Sequence, residues 1–198
     1  MAIIGCSYLR VAKYNCSNGV VTYTNPAIIA KLVRIRIELE SGNDNDFYAD
    51  NSIDESDKTF AGGKFSVGTN DLTNEASKTI LGVVSQTMEE ITGVTDNSVE
   101  ELIFDDQQNT PELGIGVVIK HKRGGANAWT GLILTRTMFN IPAEEAETQG
   151  KTISWQTPTL EGTIMKDESE HHMWKRKATF TTESQAIAYV NARLGGAA

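Results

Sequence analysis

Residues 35–65 read IRIELESGNDNDFYADNSIDESDKTFAGGKF, and this stretch decides the fold. It continues a segment in which apolar and charged residues alternate, the apolar ones being Val33, Ile35, Ile37 and Leu39. A period of two residues is typical of a strand with one buried face. The same period returns at Phe65 and Val67, after a pair of glycines. The stretch therefore predicts two strands joined by a long connection.

The connection, at about residues 41–63, has no sustained period and is rich in acidic side chains. Loops of this length inside a compact domain are uncommon, and they are usually functional or disordered. This one carries four spaced apolar residues, Phe47, Tyr48, Ile53 and Phe60. A free linker has no physical reason to hold such residues. We therefore expect the loop to order against its own domain or against a neighbour.

Composition favours one globular domain spanning residues 1–198, since 39% of the residues are hydrophobic and 22% are charged. No apolar run approaches eighteen residues, and the start of the chain lacks the basic and apolar regions of a secretory signal. Cys6 and Cys16 have no His or Cys partner at metal spacing, which predicts two free thiols. These features predict synthesis in a cytoplasm.

The net charge is −8, and the acidic residues are unevenly spread. Residues 79–119 contain no Lys or Arg, whereas a short basic cluster occupies residues 120–123. An acidic surface repels phosphate, which argues against a protein that grips DNA but allows one through which DNA passes. Solubility alone is the simpler explanation of the acidity.

Two helices are predicted. The first covers residues 71–82, where Thr73 can cap the start and Gly82 can end it. The second covers about residues 183–194, where Thr182 and Gln185 form a capping-box pattern. Both segments place apolar residues on one helical stripe.

The remaining periodic segments predict about seven to nine strands. Asn25-Pro26 is interpreted as a turn after two short strands, and Gly124-Gly125 as the turn of a hairpin. A polar turn is predicted at residues 167–172. The predicted strands cover residues 3–12, 19–24, 33–40, 64–67, 99–104, 114–121, 128–139, 152–165 and 173–181. No βαβ alternation occurs, so the fold class is mainly β: an antiparallel β-sandwich or barrel with one or two flanking helices.

No pattern in the sequence nominates a catalytic, cofactor or metal site, so we expect no enzymatic activity. His171 and His172 are adjacent, so on a strand they would point to opposite faces. Gly114 and Gly116 lack the third glycine and the helix of a dinucleotide fingerprint. Three aspartates suggest calcium, but an EF-hand counted from the first needs glycine at its sixth position, which is Ala49. These aspartates are Asp44, Asp46 and Asp50.

Four segments together resemble the major tail proteins of long, non-contractile-tailed bacteriophages. They occur in the same order along most of the chain. They are FYADNSIDESDKTFAGG (47–63), GTNDLTNEASKTILG (68–82), ISWQTPTLEGTIM (153–165) and ATFTTESQAIAYV (178–190).

The resemblance implies a virion protein that is assembled in the host cytoplasm. It implies hexameric rings that stack into a hollow tail tube around a tape-measure protein, between initiator and terminator proteins. Genomic DNA passes through the lumen without specific binding. The long loop would reach the adjacent ring. The interface positions carried over from the family are Phe47, Tyr48, Ala49, Asp50, Asn51, Ile53, Asp54, Glu55, Ser56, Asp57 and Phe60.

Two alternatives remain open at this point. Tail terminators and bacterial secretion tubes use related β-sandwich rings, so the fold could serve a different place in an assembly. A β-sandwich that binds glycans or a cell surface is the second alternative, suggested by tryptophans on β-prone segments at Trp129, Trp155 and Trp174.

Overall fold

A computed structural model describes residues 2–41, 45–49, 52–57, 59–87, 99–106, 108–143, 148 and 157–196. The chain forms two α-helices, α1 (Asn74–Leu81) and α2 (Glu183–Arg193). The strands are β1 (Ala2–Ser17), β2 (Val20–Ala30), β3 (Leu32–Ser41), β4 (Asn45–Ala49), β5 (Ser52–Asp57), β6 (Phe60–Thr69), β7 (Val84–Thr87), β8 (Glu100–Ile103), β9 (Leu113–Arg123), β10 (Ala126–Phe139), β11 (Thr159–Met165) and β12 (Lys175–Phe180).

Eight strands form one antiparallel sheet in the order β2-β1-β9-β10-β11-β6-β3, with β12 also paired to β10. Strand β10 changes partner along its length, because Trp129–Leu134 pair with β12 and Arg136–Phe139 pair with β11. Its other edge pairs with β9. The sheet therefore divides into two layers that share β10: β12-β10-β9-β1-β2 and β10-β11-β6-β3.

The two layers approach each other again where the first half of β1 meets β3. The Cys6 thiol lies 3.7 Å from the carbonyl oxygen of Val33. The result is a barrel-like antiparallel sandwich, which confirms the predicted fold class. Its interior is an apolar cluster to which β1, β6, β9, β10 and β11 contribute, with Leu9, Val67, Ile115, Leu134 and Leu160 fully buried.

Helix α1 closes one end of this interior, where Ala76, Ile80 and Leu81 join the apolar cluster. The predicted cap is confirmed: the Thr73 side chain accepts a hydrogen bond from the Ala76 N–H. The predicted end is also confirmed, because Gly82 has φ 66° and its N–H donates to the Lys78 carbonyl. A left-handed residue after a helix favours glycine, which has no Cβ to clash.

Helix α2 packs on the outer face of β1, β9 and β10. The Thr182 hydroxyl accepts a hydrogen bond from the Gln185 N–H, as the capping pattern predicted. The buried residues under the helix form a second apolar cluster of Ala12, Val118, Ile133, Ala186, Val190 and Leu194.

Three glycines of the sheet make room for α2. A Cβ at Gly114 would lie 2.9 Å from Leu194 Cδ2, and one at Gly116 would lie 2.8 Å from Leu194 Cδ1. A Cβ at Gly131 would lie 2.7 Å from Tyr189 Cδ1. Real Cβ atoms do not approach neighbours this closely. The Gly-Ile-Gly sequence of β9 is therefore a helix-docking surface.

A bulge in β1 also serves the contact with α2. Tyr8 has φ 60°, an uncommon backbone conformation for a bulky residue. Its hydroxyl donates to Asn191 Oδ1 at 2.7 Å, and Arg10 Nη1 donates to the same oxygen at 2.7 Å. The neighbouring Ser7 hydroxyl donates to Glu183 Oε1 at 3.3 Å. The bulge thus brings consecutive side chains to the two ends of one helix.

The predicted turn at Asn25-Pro26 is wrong, because β2 passes through both residues. They form a bulge in which two residues of β2 lie opposite the single Ala12 of β1. Asn25 has φ 50°, a conformation that asparagine tolerates better than most residues. Proline is accommodated at bulges because an unpaired position needs no N–H donor.

The number of strands was underestimated: twelve are present in the described residues. Strands β4, β5 and β7 occur where no period was visible in the sequence. The β9–β10 hairpin at Gly124-Gly125, strand β8 and the polar turn before β12 are confirmed. The predicted strand over 152–165 is seen only from Thr159, and residues 151–156 lie outside the described part.

The alternating stripe of β3 is only partly buried. Ile35 and Ile37 pack against the interior cluster. Val33 and Leu39, at the two ends of the stripe, are 54% and 46% exposed. Strand β3 is the last strand of its layer, so its ends extend beyond the cover that neighbouring strands provide.

Candidate assembly surface

The acidic connection contains a second β-ladder. Strands β4 and β5 pair antiparallel with each other, from Asn45 with Asp57 to Ala49 with Ser52. They form a two-stranded sheet separate from the main one. We call β4 and β5 the arm. The sequence prediction of a loop without regular structure is wrong for these two strands, because they pair although the sequence shows no sustained period of two.

The arm follows directly on the β3–β6 ladder. That ladder ends with Ser41 opposite Phe60, and the arm begins with Asn45 opposite Asp57. The arm thus follows β3 and precedes β6 in the chain. It has no described strand pairing with any other part of the chain.

Most of the predicted interface positions lie on the arm. Phe47, Tyr48 and Ala49 belong to β4, whereas Asp50 and Asn51 lie outside the described residues. The rest of the predicted set is on β5, namely Ile53, Asp54, Glu55, Ser56 and Asp57. The structure thus places most of this predicted set on one hairpin.

Phe60, the last of the predicted positions, has an aromatic partner in its own chain. Its ring stacks on Trp174 with centroids 4.3 Å apart and planes 7° from parallel. The Lys175 ammonium lies 4.4 Å from the centroid of the same indole. This aromatic stack lies where the arm leaves the main sheet, so one face of Phe60 fixes the base of the arm.

Exposed apolar side chains concentrate on strands that have an unpaired edge. Strands β2 and β3 end the main sheet, and the first half of β1 is paired only with β9 among the described strands. These three strands carry the large exposed residues Ile3, Ile4, Val20, Ile28, Val33 and Leu39. Unpaired, apolar sheet edges are templates for association with another chain.

Sequence reasoning missed the contributions of β1 and β2 to this surface. Ile3, Ile4 and Ile28 stand in ordinary β-prone segments, and nothing local marks them as exposed. Whether a strand becomes an edge depends on sheet order, which joins β1 to β9 across most of the chain. That signal exists only in the tertiary structure.

A cavity of about 410 Å³ lies between β2, β10 and the end of α2. Asp167, Arg176 and Arg193 line it. The Asp167 carboxylate accepts hydrogen bonds from the N–H and hydroxyl of Ser169, at 3.2 and 2.6 Å. The described lining contains no thiol, imidazole or serine hydroxyl that could act as a nucleophile. This crevice is a structural junction.

Tyr23 lines the same cavity and is held in its protonated form. Its hydroxyl donates to the Thr135 carbonyl at 2.8 Å. Burial is the largest cause that raises the pKa of the phenol, and the negative charge of Asp167 raises it further. A phenol with a raised pKa is a poor base at neutral pH, so Tyr23 serves as a hydrogen-bond donor.

A charged cluster joins β10 to two loops. The Arg136 guanidinium makes a bidentate pair with Glu112, at 2.8 and 2.7 Å, and contacts Glu168 at 3.0 Å. Hydrogen bonding to Glu112 is the main cause that raises the pKa of Arg136. Bidentate carboxylate pairs are geometrically specific. The cluster fixes the loop before β9 and the turn before β12.

Among the described residues, no group of three His, Cys, Asp or Glu side chains could hold a metal ion. Asp44 and Asp50 of the calcium interpretation lie outside that part of the chain. His171 and His172 are exposed in the polar turn. No helix in the described part is long and apolar enough to cross a membrane.

The described tryptophans are engaged within the chain. Trp174 stacks on Phe60, and Trp129 packs beside α2 with the Lys120 ammonium 5.7 Å from its ring centroid. Both are half-buried. Trp155 lies outside the described residues. An exposed aromatic platform of the kind that sugars stack on is therefore not formed by Trp129 or Trp174.

Comparisons with known proteins leave the chain to be interpreted from its own residues. No protein-family model matches the sequence, and no curated protein matches it.

Proposed function

We propose that this chain is a self-assembling structural subunit, the tail tube protein of a long, non-contractile-tailed bacteriophage. One observation carries the proposal: the connection between β3 and β6 holds an arm whose strands, among the described residues, pair only with each other. The sequence resemblance identifies the same segment as the one that reaches an adjacent ring. The proposed role is non-enzymatic.

The energetics of the arm support a partner outside the monomer. An isolated two-stranded hairpin is marginally stable at best in water. Strands β4 and β5 together contain Phe47, Tyr48 and Ile53, whose apolar surface would be stabilised by burial. An arm that docks on a second copy satisfies both conditions.

The edge strands support ring formation. A monomer with unpaired apolar edges on β1, β2 and β3 carries an aggregation hazard. In a closed ring made by head-to-tail contacts, one edge of each copy meets a different edge of the next. The apolar edges that make a monomer prone to aggregation would then be buried between neighbouring copies. Six copies would close the ring.

The remaining partners follow from the same proposal. Stacked rings would enclose the tape-measure protein and later conduct genomic DNA, and they would end at initiator and terminator proteins. The net charge of −8 suits a conduit, because attractive phosphate contacts would slow the passage of DNA. The protein would be made in the host cytoplasm and function in the virion.

Electron microscopy and analytical ultracentrifugation of the purified chain test the proposal over a range of concentrations and salts, with and without tape-measure protein. We expect rings or tubes of uniform diameter. A particle that stays monomeric in every condition, including with tape-measure protein, would contradict the proposal. Rings that never stack would instead assign the chain to the terminator class.

A variant tests the role of the arm separately. Residues 45–57 are replaced by a short Gly-Ser linker, and Phe60 is kept because its stack with Trp174 belongs to the core. We expect a folded chain that forms rings but no tubes. Normal tubes from this variant would show that the arm is not the stacking element.

A further inference from the structure

The arm has an unusual chemical character that restricts what it can dock on. Residues 45–57 contain no Lys or Arg. Their acidic residues are Asp46, Asp50, Asp54, Glu55 and Asp57, which gives five negative charges and no positive one. The same residues include the apolar Phe47, Tyr48 and Ile53. A receptor surface should therefore combine apolar side chains with positive charge.

One edge of the described sheet has this combination. Ile3 and Ile4 are 69% and 53% exposed at the start of β1. On β9, His121 faces Ile3, and Lys122 faces Ala2. We call Ile3, Ile4, Lys120, His121 and Lys122 the β1–β9 patch.

The start of β1, Ala2–Gly5, has a described ladder partner on one side only, although the next residue, Cys6, already lies against Val33 of β3. Ala2–Gly5 pair with β9 on one side, whereas β2 pairs with β1 only from Leu9 onward. The second side of Ala2–Gly5 has no described strand partner. An extended segment can add to such an edge through main-chain hydrogen bonds, while its side chains meet those on both faces.

The lysines of the patch have no carboxylate partner among the described residues, and the Lys120 ammonium contacts the Trp129 ring. Lys120 and Lys122 are two residues apart on β9, so their side chains share one face of the sheet. Neither makes an ion pair within the part of the chain that the structure describes. Lys122 is exposed. A docked acidic strand would meet two positive charges there.

The other edges of the described sheet lack this combination. Strand β12, KRKATF, pairs only with β10 and is basic, but it carries none of the large apolar residues that are exposed. Strand β2 has the sequence VVTYTNPAIIA, which contains no charged residue. On β3 the charges are mixed and partly paired, since Arg36 contacts Glu38 at 2.5 Å and Glu40 contacts Lys64 at 3.6 Å. Complementary charge across an interface fixes register and excludes wrong partners. The β1–β9 patch is the best complement to the arm.

We propose that the arm of one copy docks on the β1–β9 patch of a second copy. The inference deepens the proposed function and rests on it, because it names the receiving surface of the assembly contact. The occupant is the β4–β5 hairpin of this same chain, held by strand addition at Ala2–Gly5 and by carboxylates at Lys120 and Lys122.

A charge exchange tests this pairing in the full-length chain. The patch variant carries Lys120→Glu and Lys122→Glu, the arm variant carries Asp54→Lys and Glu55→Lys, and a third variant carries all four changes. Each two-residue variant should raise the protein concentration required for tube growth by at least about tenfold. The four-residue variant should return it to near the wild-type value.

The controls separate misfolding from a lost contact. Lys166→Glu with Lys177→Glu changes the net charge equally at two other exposed lysines and should leave assembly unchanged. Because Lys120 also contacts Trp129, Lys122→Glu alone is measured beside the patch variant. Circular dichroism and thermal unfolding establish that each chain is folded.

The outcomes distinguish the inference from the function on which it rests. Tube growth by the patch variant and by Lys122→Glu at the wild-type concentration overturns the inference and leaves the proposed function intact. A folded four-residue variant that stays as defective as its parents also overturns it. A wild-type chain that never self-associates overturns the proposed function and this inference together.

Discussion

Helix α2 and the arm are both additions to the same sandwich, but they are attached in opposite ways. The helix covers the outer face of β1, β9 and β10 and buries Val190 and Leu194 completely. The arm lies between β3 and β6 in the chain, and its strands pair with each other. Helix α2 is thus packed within the chain, whereas the arm has no described strand partner outside its own hairpin, and we propose that a second molecule supplies one.

Helix α2 packs where the residues of the sheet are small. The sheet under α2 has glycines at positions 114, 116 and 131, where any larger residue would collide with the helix. Among the described strands, none outside the arm forms a ladder with it. A receiving surface for the arm is thus expected on another copy. If α2 is part of the folded core and the arm is not, changes at α2 should affect stability far more than changes in the arm.

Removing the anchor of α2 should be strongly destabilising. Leu194 is fully buried and meets both Gly114 and Gly116. Leu194→Ala should lower the free energy of unfolding by about 2–5 kcal/mol, because a large-to-small change in a core leaves a cavity. Denaturant unfolding provides the measurement. Leu39→Ala at a half-exposed position is the control and should cost less than about 1 kcal/mol; equal losses would contradict the internal attachment of the helix.

Filling the recess under α2 should have a smaller but clear effect. Gly116→Ala adds a Cβ that overlaps the side chains of Val190 and Leu194, so those side chains or the helix that carries Val190 must shift. Overpacking a core usually costs about 1–3 kcal/mol. Gly5→Ala is a matched control, since a Cβ there meets nothing within 4 Å. Thermal unfolding of both variants measures the loss of stability. A Gly116→Ala protein as stable as Gly5→Ala would show that α2 does not require a glycine at this position.

Removing the arm should barely change the stability of the monomer. The Gly-Ser replacement of residues 45–57 deletes a ladder that pairs only with itself. Changing the length of a surface loop typically alters the free energy of unfolding by less than about 1 kcal/mol. The midpoint of denaturant unfolding measures this change. A loss of several kcal/mol would mean that the arm belongs to the core, and the contrast with α2 would fail.

The smallest effect should come from an ion pair that joins α1 to β8. Lys78 Nζ contacts Glu100 at 2.8 Å. Hydrogen bonding to Lys78 is the main cause that lowers the pKa of Glu100, and hydrogen bonding to Glu100 is the main cause that raises the pKa of Lys78. Exposed pairs of this kind contribute little and are screened by salt.

The sign of its pH dependence follows from those shifts. A lowered carboxyl pKa stabilises the folded state above the unfolded-state pKa, and this contribution disappears as pH falls through the folded-state pKa. The raised pKa of Lys78 gives a contribution that is lost only as pH rises through its folded-state value. Unfolding free energies of the wild type and Glu100→Gln should differ at neutral pH and converge in acid. A difference that persists in acid would assign the effect to packing.

Much of the fold could be predicted because its signals are local. Helix α1 was placed by Thr73 and Gly82, and α2 by its capping pair, since each cap satisfies backbone groups within one turn. The β9–β10 hairpin was placed by two consecutive glycines. These features depend on residues that are neighbours in sequence.

The errors occur where long-range contacts decide the structure. Asn25-Pro26 is an acceptable turn sequence, but pairing with β1 converts it into a bulge. The role of the β9 glycines cannot be predicted from neighbouring residues, because it depends on contact with α2, which lies far along the chain. For the candidate site, the sequence predicts which residues form the long connection that contains the arm. It does not predict that β4 pairs with β5, or that the isoleucines of β1 are exposed, because both depend on how the strands pair.

The pairing of β1 with β9 also has a consequence for the timing of folding. The paired residues are 100 to 120 positions apart in the sequence. The extremes are Lys13 with Leu113 and Ala2 with Lys122. Contacts this distant in sequence form slowly, whereas the β9–β10 hairpin closes locally. During synthesis, β1 leaves the ribosome long before β9 exists. The β1–β9 ladder at Ala2–Gly5 therefore forms only after residue 122 has been made, so shorter nascent chains lack the receiving edge that we propose.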